Sequence, residues 1–251
     1  TGYTPARLEN LFDEALVEAL RRGSRAMNTR DVHAARLVAD VGLGQPVAYT
    51  DHETRLIATH EAGHAVVAHV VAPQRRLEVL TIVKRKDALG LLAHNDTEDV
   101  FTRSRSELLA LIQIAFGGMA AEELFFGETS TGPSSDLNYA TTVAAQMVGA
   151  AGMVGSLISL SAAAGNGLSE TNLVGRVIAD PASRQAVETL LVEQKQVASR
   201  VLEQHRHQVE ALRDALLERH ELVGSEIIEV LSRDVVDVRG STGRARSPKP
   251  H

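Results

Sequence analysis

Apolar residues recur at helical spacing through most of the chain. Leu8, Leu11, Phe12, Ala15, Leu16 and Ala19 fall on one face of a helix over 5–23, with Gly23 as its stop. Thr29 reads as the N-cap of a second helix, 30 to about 41, carried by Val32, Ala35, Leu37 and Val38. Gly42, Gly44 and Pro46 break the pattern and predict a domain boundary. Residues 1–45 are too few to hold a core alone. A long helix over 51–71 follows, closed by Pro73. Residues 77–84 have a β-type pattern, and 88–95 return as the second arm of a hairpin after a charged turn. From Ser104 the pattern is apolar almost all round, which predicts one central helix ending near Gly127. A Gly/Ser/Thr/Pro loop occupies 128–135, and Asp136 or a neighbouring Ser caps the next helix. Helical periodicity returns over 181–231, and 233–251 reads as a disordered basic tail. The fold class is therefore mainly α, with a small β-hairpin or sheet.

Composition narrows the function. With 44% hydrophobic and 23% charged residues the chain has the balance of a globular protein, and with 3% aromatics its core must be aliphatic. Cysteine is absent, which excludes disulfides, thiolate zinc sites, iron–sulfur clusters and cysteine nucleophiles. A net charge of −6 argues against a nucleic-acid binder. Residues 137–169 carry no charge and are long enough to span a bilayer, but their Ala, Gly, Ser and Thr content favours a buried, tightly packed helix followed by a loop.

The chemistry lies in His60-Glu61-Ala62-Gly63-His64. Residues four apart on a helix differ by about 40° and about 6 Å of rise, so both imidazoles face one side and can grip one ion. Glu61 lies between them in angle, where it reaches a water rather than the metal. Two neutral nitrogens with an open position suit a catalytic zinc, and the carboxylate is then the general base. Flanking Ala and Val residues bury this helix, and buried histidines need partners. His69 faces away from His60 on the same helix, and His52 lies two turns off. His94 on the hairpin is either an oxyanion donor or merely exposed. His205, His207 and His220 read as solvated surface.

A zinc needs a third protein ligand. Val67 and Val70 stand where an extended HExxHxxGxxH pattern requires Gly and His, so that class is excluded. Two carboxylate positions remain: Glu122 or its neighbour Glu123, and Asp136. Asp136, an isolated acid before an apolar helix, reads equally well as an N-cap.

HEAGHAVVAHVV followed by GGMAAEELFFGETSTGPSSDLNYAT resembles the peptidase domain of the FtsH family of membrane-anchored, ATP-dependent zinc proteases. The resemblance covers about 1–232. It implies that His60, His64 and Asp136 hold Zn(2+), that Glu61 is the catalytic base, and that Glu122 is a structural or supporting carboxylate. Residues 1–45 are similar to the last helices of an AAA ATPase lid, and 46–232 to the peptidase domain. It also implies homo-hexamers, unfolded or membrane polypeptide substrates, and association with a membrane through a segment outside this chain, with this domain on the cytoplasmic face. An extended peptide is expected to pair with the strand containing Ala88, Leu89, Gly90, Leu91 and Leu92. No GxxxxGK[ST] phosphate loop is present, so ATP enters only through an upstream module, and the chain is expected to be part of a longer protein. After Met147 the family's Trp-Gly-Met segment is replaced by a Gly/Ala-rich run. That departure keeps open a catalytically silent, ring-forming scaffold of the same family.

Overall fold

The computed structural model describes residues 4–45, 47–85, 89–97, 100–162 and 172–240. Helices α1 (Pro5–Arg21) and α2 (Thr29–Val41) form an antiparallel hairpin. The cap of α2 is Asn28 rather than Thr29: its side chain accepts from the N–H groups of Arg30 and Asp31, while Asp31 returns a bond to the Asn28 N–H. A reciprocal box satisfies two orphan donors at once, so it wins over the lone threonine. The hairpin has a small core of its own, Leu11, Ala15 and Ala35, with Val32 packed against it.

The central element is α3 (Asp51–Val71), started by a capping box between Thr50 and Glu53. Every residue from Ile57 to Ala68 is buried, so this helix is enclosed on all sides. Around it pack α5 (Gly117–Phe126), α9 (Arg206–Arg219), α4 (Arg105–Ala115) and α8 (Pro181–Gln204), with α6 (Ser134–Gly149) against α4 and α8 and α7 (Leu173–Ala179) on α6. Instead of one helix from Ser104, the chain makes two, broken at Phe116 before Gly117. Arg105–Phe126 is long and apolar enough to cross a membrane by composition, but α4 and α5 are packed into the protein core.

A three-stranded antiparallel sheet, ordered β2-β1-β3, covers one end of α3. Strand β1 (Arg75–Thr81) lies between β2 (Leu91–Asp96) and β3 (Glu221–Val223), and a bulge between Leu77 and Val79 shifts the β1–β2 register. The hairpin expectation holds, with β2 starting later than residue 88. β3 was not expected. The last helix, α10 (Ser225–Gly240), continues past residue 233, where the sequence places the start of a tail; residues 241–251 lie outside the described part.

The stretch joining α2 to α3 runs beside the end of β1. Gly44 makes an antiparallel bridge to Arg85, and the Gln45 N–H donates to the Lys84 carbonyl. Arg85 is buried and donates to the Gly42 carbonyl and to Glu221 of β3. Arg36 of α2 donates to Glu78 of β1.

Candidate metal centre

His60 and His64 stand one turn apart on α3, both buried. Each ring is held from behind. The Nδ1 of His64 is 2.7 Å from the Ile114 carbonyl, which can only accept, so that nitrogen carries the proton. The Nδ1 of His60 is 2.7 Å from Oε1 of Glu122. With both Nδ1 atoms donating, both Nε2 atoms present lone pairs, and they face each other at 3.0 Å. Oδ2 of Asp136 completes the group at 3.2 Å and 3.4 Å from them.

Three electron-rich atoms aimed at one point need a positive charge between them. Among the described residues these three are the only His, Asp or Glu group close enough to hold a metal. Four ligands arranged tetrahedrally at zinc distances would lie about 3.3 Å apart, which matches the observed separations. The electrostatics agree. Burial opposes charge on His60, yet hydrogen bonds to Asp136 and Glu122 raise its pKa, so with no metal a proton is drawn to the place where the group attracts a cation. Burial would raise Asp136, but the two imidazoles hold its carboxyl well below the usual range. The donor set therefore fits zinc, and the carboxylate-backed histidine is the usual support for such a ligand.

The three segments meet because of glycines and one carboxylate. A Cβ on Gly63 would come within 2.4 Å of the Gly117 carbonyl, and one on Gly118 within 2.4 Å of the His60 ring. Only backbone fits between α3 and α5 at this level. Glu122, fully buried, faces His60 with one oxygen and accepts the Ser130 N–H at 2.5 Å with the other, while Ser130 Oγ donates to Oε1 at 3.1 Å. It thus ties the ligand ring to the loop that carries Asp136, and its pKa is lowered by those bonds against the opposing effect of burial.

These contacts distinguish the carboxylates that the sequence left open. Glu122 lies behind His60 and not among the three converging atoms, so it is not placed as an alternative ligand. Glu123 points elsewhere, to Lys195. Asp136 sits in the first turn of α6 without capping it; the N-cap is Pro133, which makes no side-chain bond. A free first-turn carboxylate is available to the histidines, and its position at a helix N-terminus favours its negative charge. Sequence reasoning missed Ser130 and the Ile114 carbonyl. A main-chain acceptor has no residue signature, and Ser130 is one of several similar loop residues.

Glu61 is buried beside the pair, and burial pushes its carboxyl up while the imidazoles pull it back. The Leu92 backbone N–H of β2 faces it, and a Cβ on Gly90 would overlap its Oε1 at 2.6 Å. The carboxylate is therefore wedged under the start of β2. Leu91 and Leu92 belong to that strand, and Leu89 and Gly90 form the bend before it; Ala88 lies outside the described residues. β2 is an edge strand whose outer side faces a cleft of about 970 Å³, which the metal group, Glu61 and residues 89–95 all line. The Tyr49 hydroxyl donates to the Leu89 carbonyl at 3.1 Å and fixes the bend. His94 lines the cleft with its Nδ1 accepting from Arg75 Nε at 2.8 Å. His52 packs edge-on against Phe126, away from the centre.

Comparison with known proteins agrees with this geometry. The model of peptidase family M41 matches residues 47–230. The chain is 33% identical over 236 residues to the "ATP-dependent zinc metalloprotease FtsH 4" of Sphaerobacter thermophilus, covering 92% of this chain and 36% of that protein. It is 31% identical over 243 residues to the "ATP-dependent zinc metalloprotease FtsH" of Caldicellulosiruptor bescii, covering 93% of this chain and 39% of the relative. The chain thus spans less than half the length of the curated relatives it matches.

Proposed function

Because this chain belongs to peptidase family M41, we propose that it hydrolyses peptide bonds, with zinc held by His60, His64 and Asp136 and with Glu61 as the base. The observation that carries the reading is the convergence of two imidazole lone pairs and one carboxylate oxygen within 3.0–3.4 Å while both Nδ1 atoms are engaged elsewhere. When bound, zinc supplies Lewis acidity, which lowers the pKa of water and polarises a carbonyl. Glu61 takes the attacking water's proton and delivers it to the departing amine. Its burial keeps it basic enough for the first transfer, and the Leu92 N–H fixes which way it points. An extended substrate pairs with the free edge of β2 through main-chain bonds, so binding makes little demand on sequence.

In the longer protein, the substrates are unfolded or membrane polypeptides delivered by an ATP-driven module. The printed names of the relatives and the fraction of them that this chain spans support that assignment. Residues 1–45 are the end of an ATPase lid and 46–232 the peptidase domain; the start of the family match at 47 and the separate core of the hairpin support this division. Homo-hexameric assembly, membrane attachment and a cytoplasmic position for this domain rest on the family resemblance alone.

The test is Glu61→Gln. It is expected to keep one zinc per chain and to lose hydrolysis of casein by at least about a hundredfold. A zinc-loaded wild-type chain that cleaves nothing, assayed with its ATPase partner module, would instead make it a silent scaffold.

A further inference from the structure

The two ends of the cleft differ in chemistry. At the Glu61 end the walls are Leu56, Ile57, Leu89 and Tyr49. At the far end of β2 they are Arg75, His94, Arg103 and, across the cleft on α6, Tyr139. Arg75 is opposite Asp96 in the β1–β2 register, its side chain only 8% exposed. It donates through Nε to His94 Nδ1, through Nη1 to Asp96 and through Nη2 to the His94 carbonyl at 3.5 Å. Arg103, 29% exposed, donates to the same Asp96 carboxylate through both terminal nitrogens.

Two consequences follow. An arginine has only donors, so His94 Nδ1 must accept and the neutral ring carries its proton on Nε2. Burial and the neighbouring Arg75 hold His94 neutral, with a pKa near 4. Nε2–H therefore remains a donor, with no protein partner among the described residues. Second, one carboxylate serves two guanidinium groups and does not itself line the cleft. Among the described residues Glu107 also acts on both arginines, but it does not line the cleft and accepts from the N–H and Oγ of Ser104 at 2.7 Å each. Among the described residues, the side chains that line the cleft at this end present donors and no carboxylate.

We propose that this end is a subsite for a carboxylate of the bound peptide, taken by Arg103 and the Nε2–H of His94, with Arg75 holding His94 from behind and the Tyr139 hydroxyl opposite. Charge-assisted bonds from a half-enclosed guanidinium are the strong kind, and a carboxylate accepts several at once. The carboxylate is an acidic side chain at a fixed distance from the cleaved bond, or the peptide's C-terminus. The inference rests on the peptide-hydrolysis reading above.

The experiment uses fluorogenic decapeptides in which one Glu is moved along a neutral sequence. Each is paired with its Gln counterpart, and one member of the set ends in either a free carboxylate or an amide. For the zinc-loaded chain, kcat/KM for Glu over Gln is expected to reach about tenfold at one position. A carboxylate-over-amide ratio of that size would name the C-terminus as the source. Arg103→Gln is expected to bring the ratio to near one, and Arg103→Glu to reverse it in favour of Lys at that position, a gain that misfolding cannot produce. Glu/Gln ratios near one at every position and for the C-terminus, or ratios unchanged in the Arg103 variants, overturn the proposal. If no peptide is cleaved even with the ATPase partner module present, the hydrolysis reading fails separately. Anisotropy binding of the same Glu and Gln peptides to zinc-loaded Glu61→Gln then decides the subsite by the same ratio.

Discussion

The α1–α2 hairpin closes on three buried side chains, Leu11, Ala15 and Ala35, and leaves Leu8, Phe12, Leu16 and Leu20 exposed along α1. The frame of the metal centre closes on a continuous core that runs from Ile57 in α3 to Leu231 in α10. The difference lies in what each region must hold still. A hairpin with so small a core is ordered by its caps, by Arg22–Asp31 and by its links to β1. The site instead needs three atoms from two distant segments kept within tenths of an ångström, which only dense packing provides.

The largest expected effect lies in that packing. Gly63→Ala drives a methyl into the Gly117 carbonyl, and overpacking of backbone against backbone is expected to cost about 3 kcal/mol of stability. Its thermal transition should shift down together with zinc content, while the amide protection of α1–α2 stays. A variant of unchanged stability would mean that α3 and α5 are not clamped as described.

Glu122→Gln comes next. The side chain keeps its size but loses the charge that orients His60, so zinc affinity should fall about 10- to 100-fold, read by competition with a chelator. Unchanged affinity would reduce Glu122 to a filler of the core.

Acid should separate the regions most gently. The Asp31 carboxyl is held below its ordinary value by the Arg22 hydrogen bond, so its contribution is complete above about pH 4 and is lost as pH falls through its folded value. His94 is also depressed, to about 4 from 6.5, so stability from keeping it neutral is complete above 6.5 and drains away between 6.5 and 4. Exchange protection, corrected for intrinsic rates, is therefore expected to weaken around β2 at a higher pH than in the hairpin. The reverse order would contradict the assigned environments of both groups.

How much of this was readable beforehand depends on distance along the chain. The bounds of α3 were predicted as found, because its signals are all local: Thr50 and Glu53 at one end, Pro73 past the other, apolar residues between. The paired histidines followed from helical spacing alone. Asp136 did not, since an acid before an apolar helix looks like a cap until the loop's path is known; the family resemblance was needed to single it out. The break at Phe116 was hidden by apolar residues on both sides. β3 has three residues, too few for a period, and is a strand only because Leu222 meets Leu80 across the sheet. The Arg75, His94, Asp96 and Arg103 cluster is likewise created by strand register, and nothing in the residues taken singly announces it.

The meeting of Gly63 and Gly117 has a consequence for how such a chain tolerates change. Where two helices touch through peptide units, their spacing is a property of the polymer, common to any sequence that keeps those glycines. Aliphatic residues elsewhere in the interior can then be exchanged for others of like volume without altering the gauge at which the imidazoles are presented.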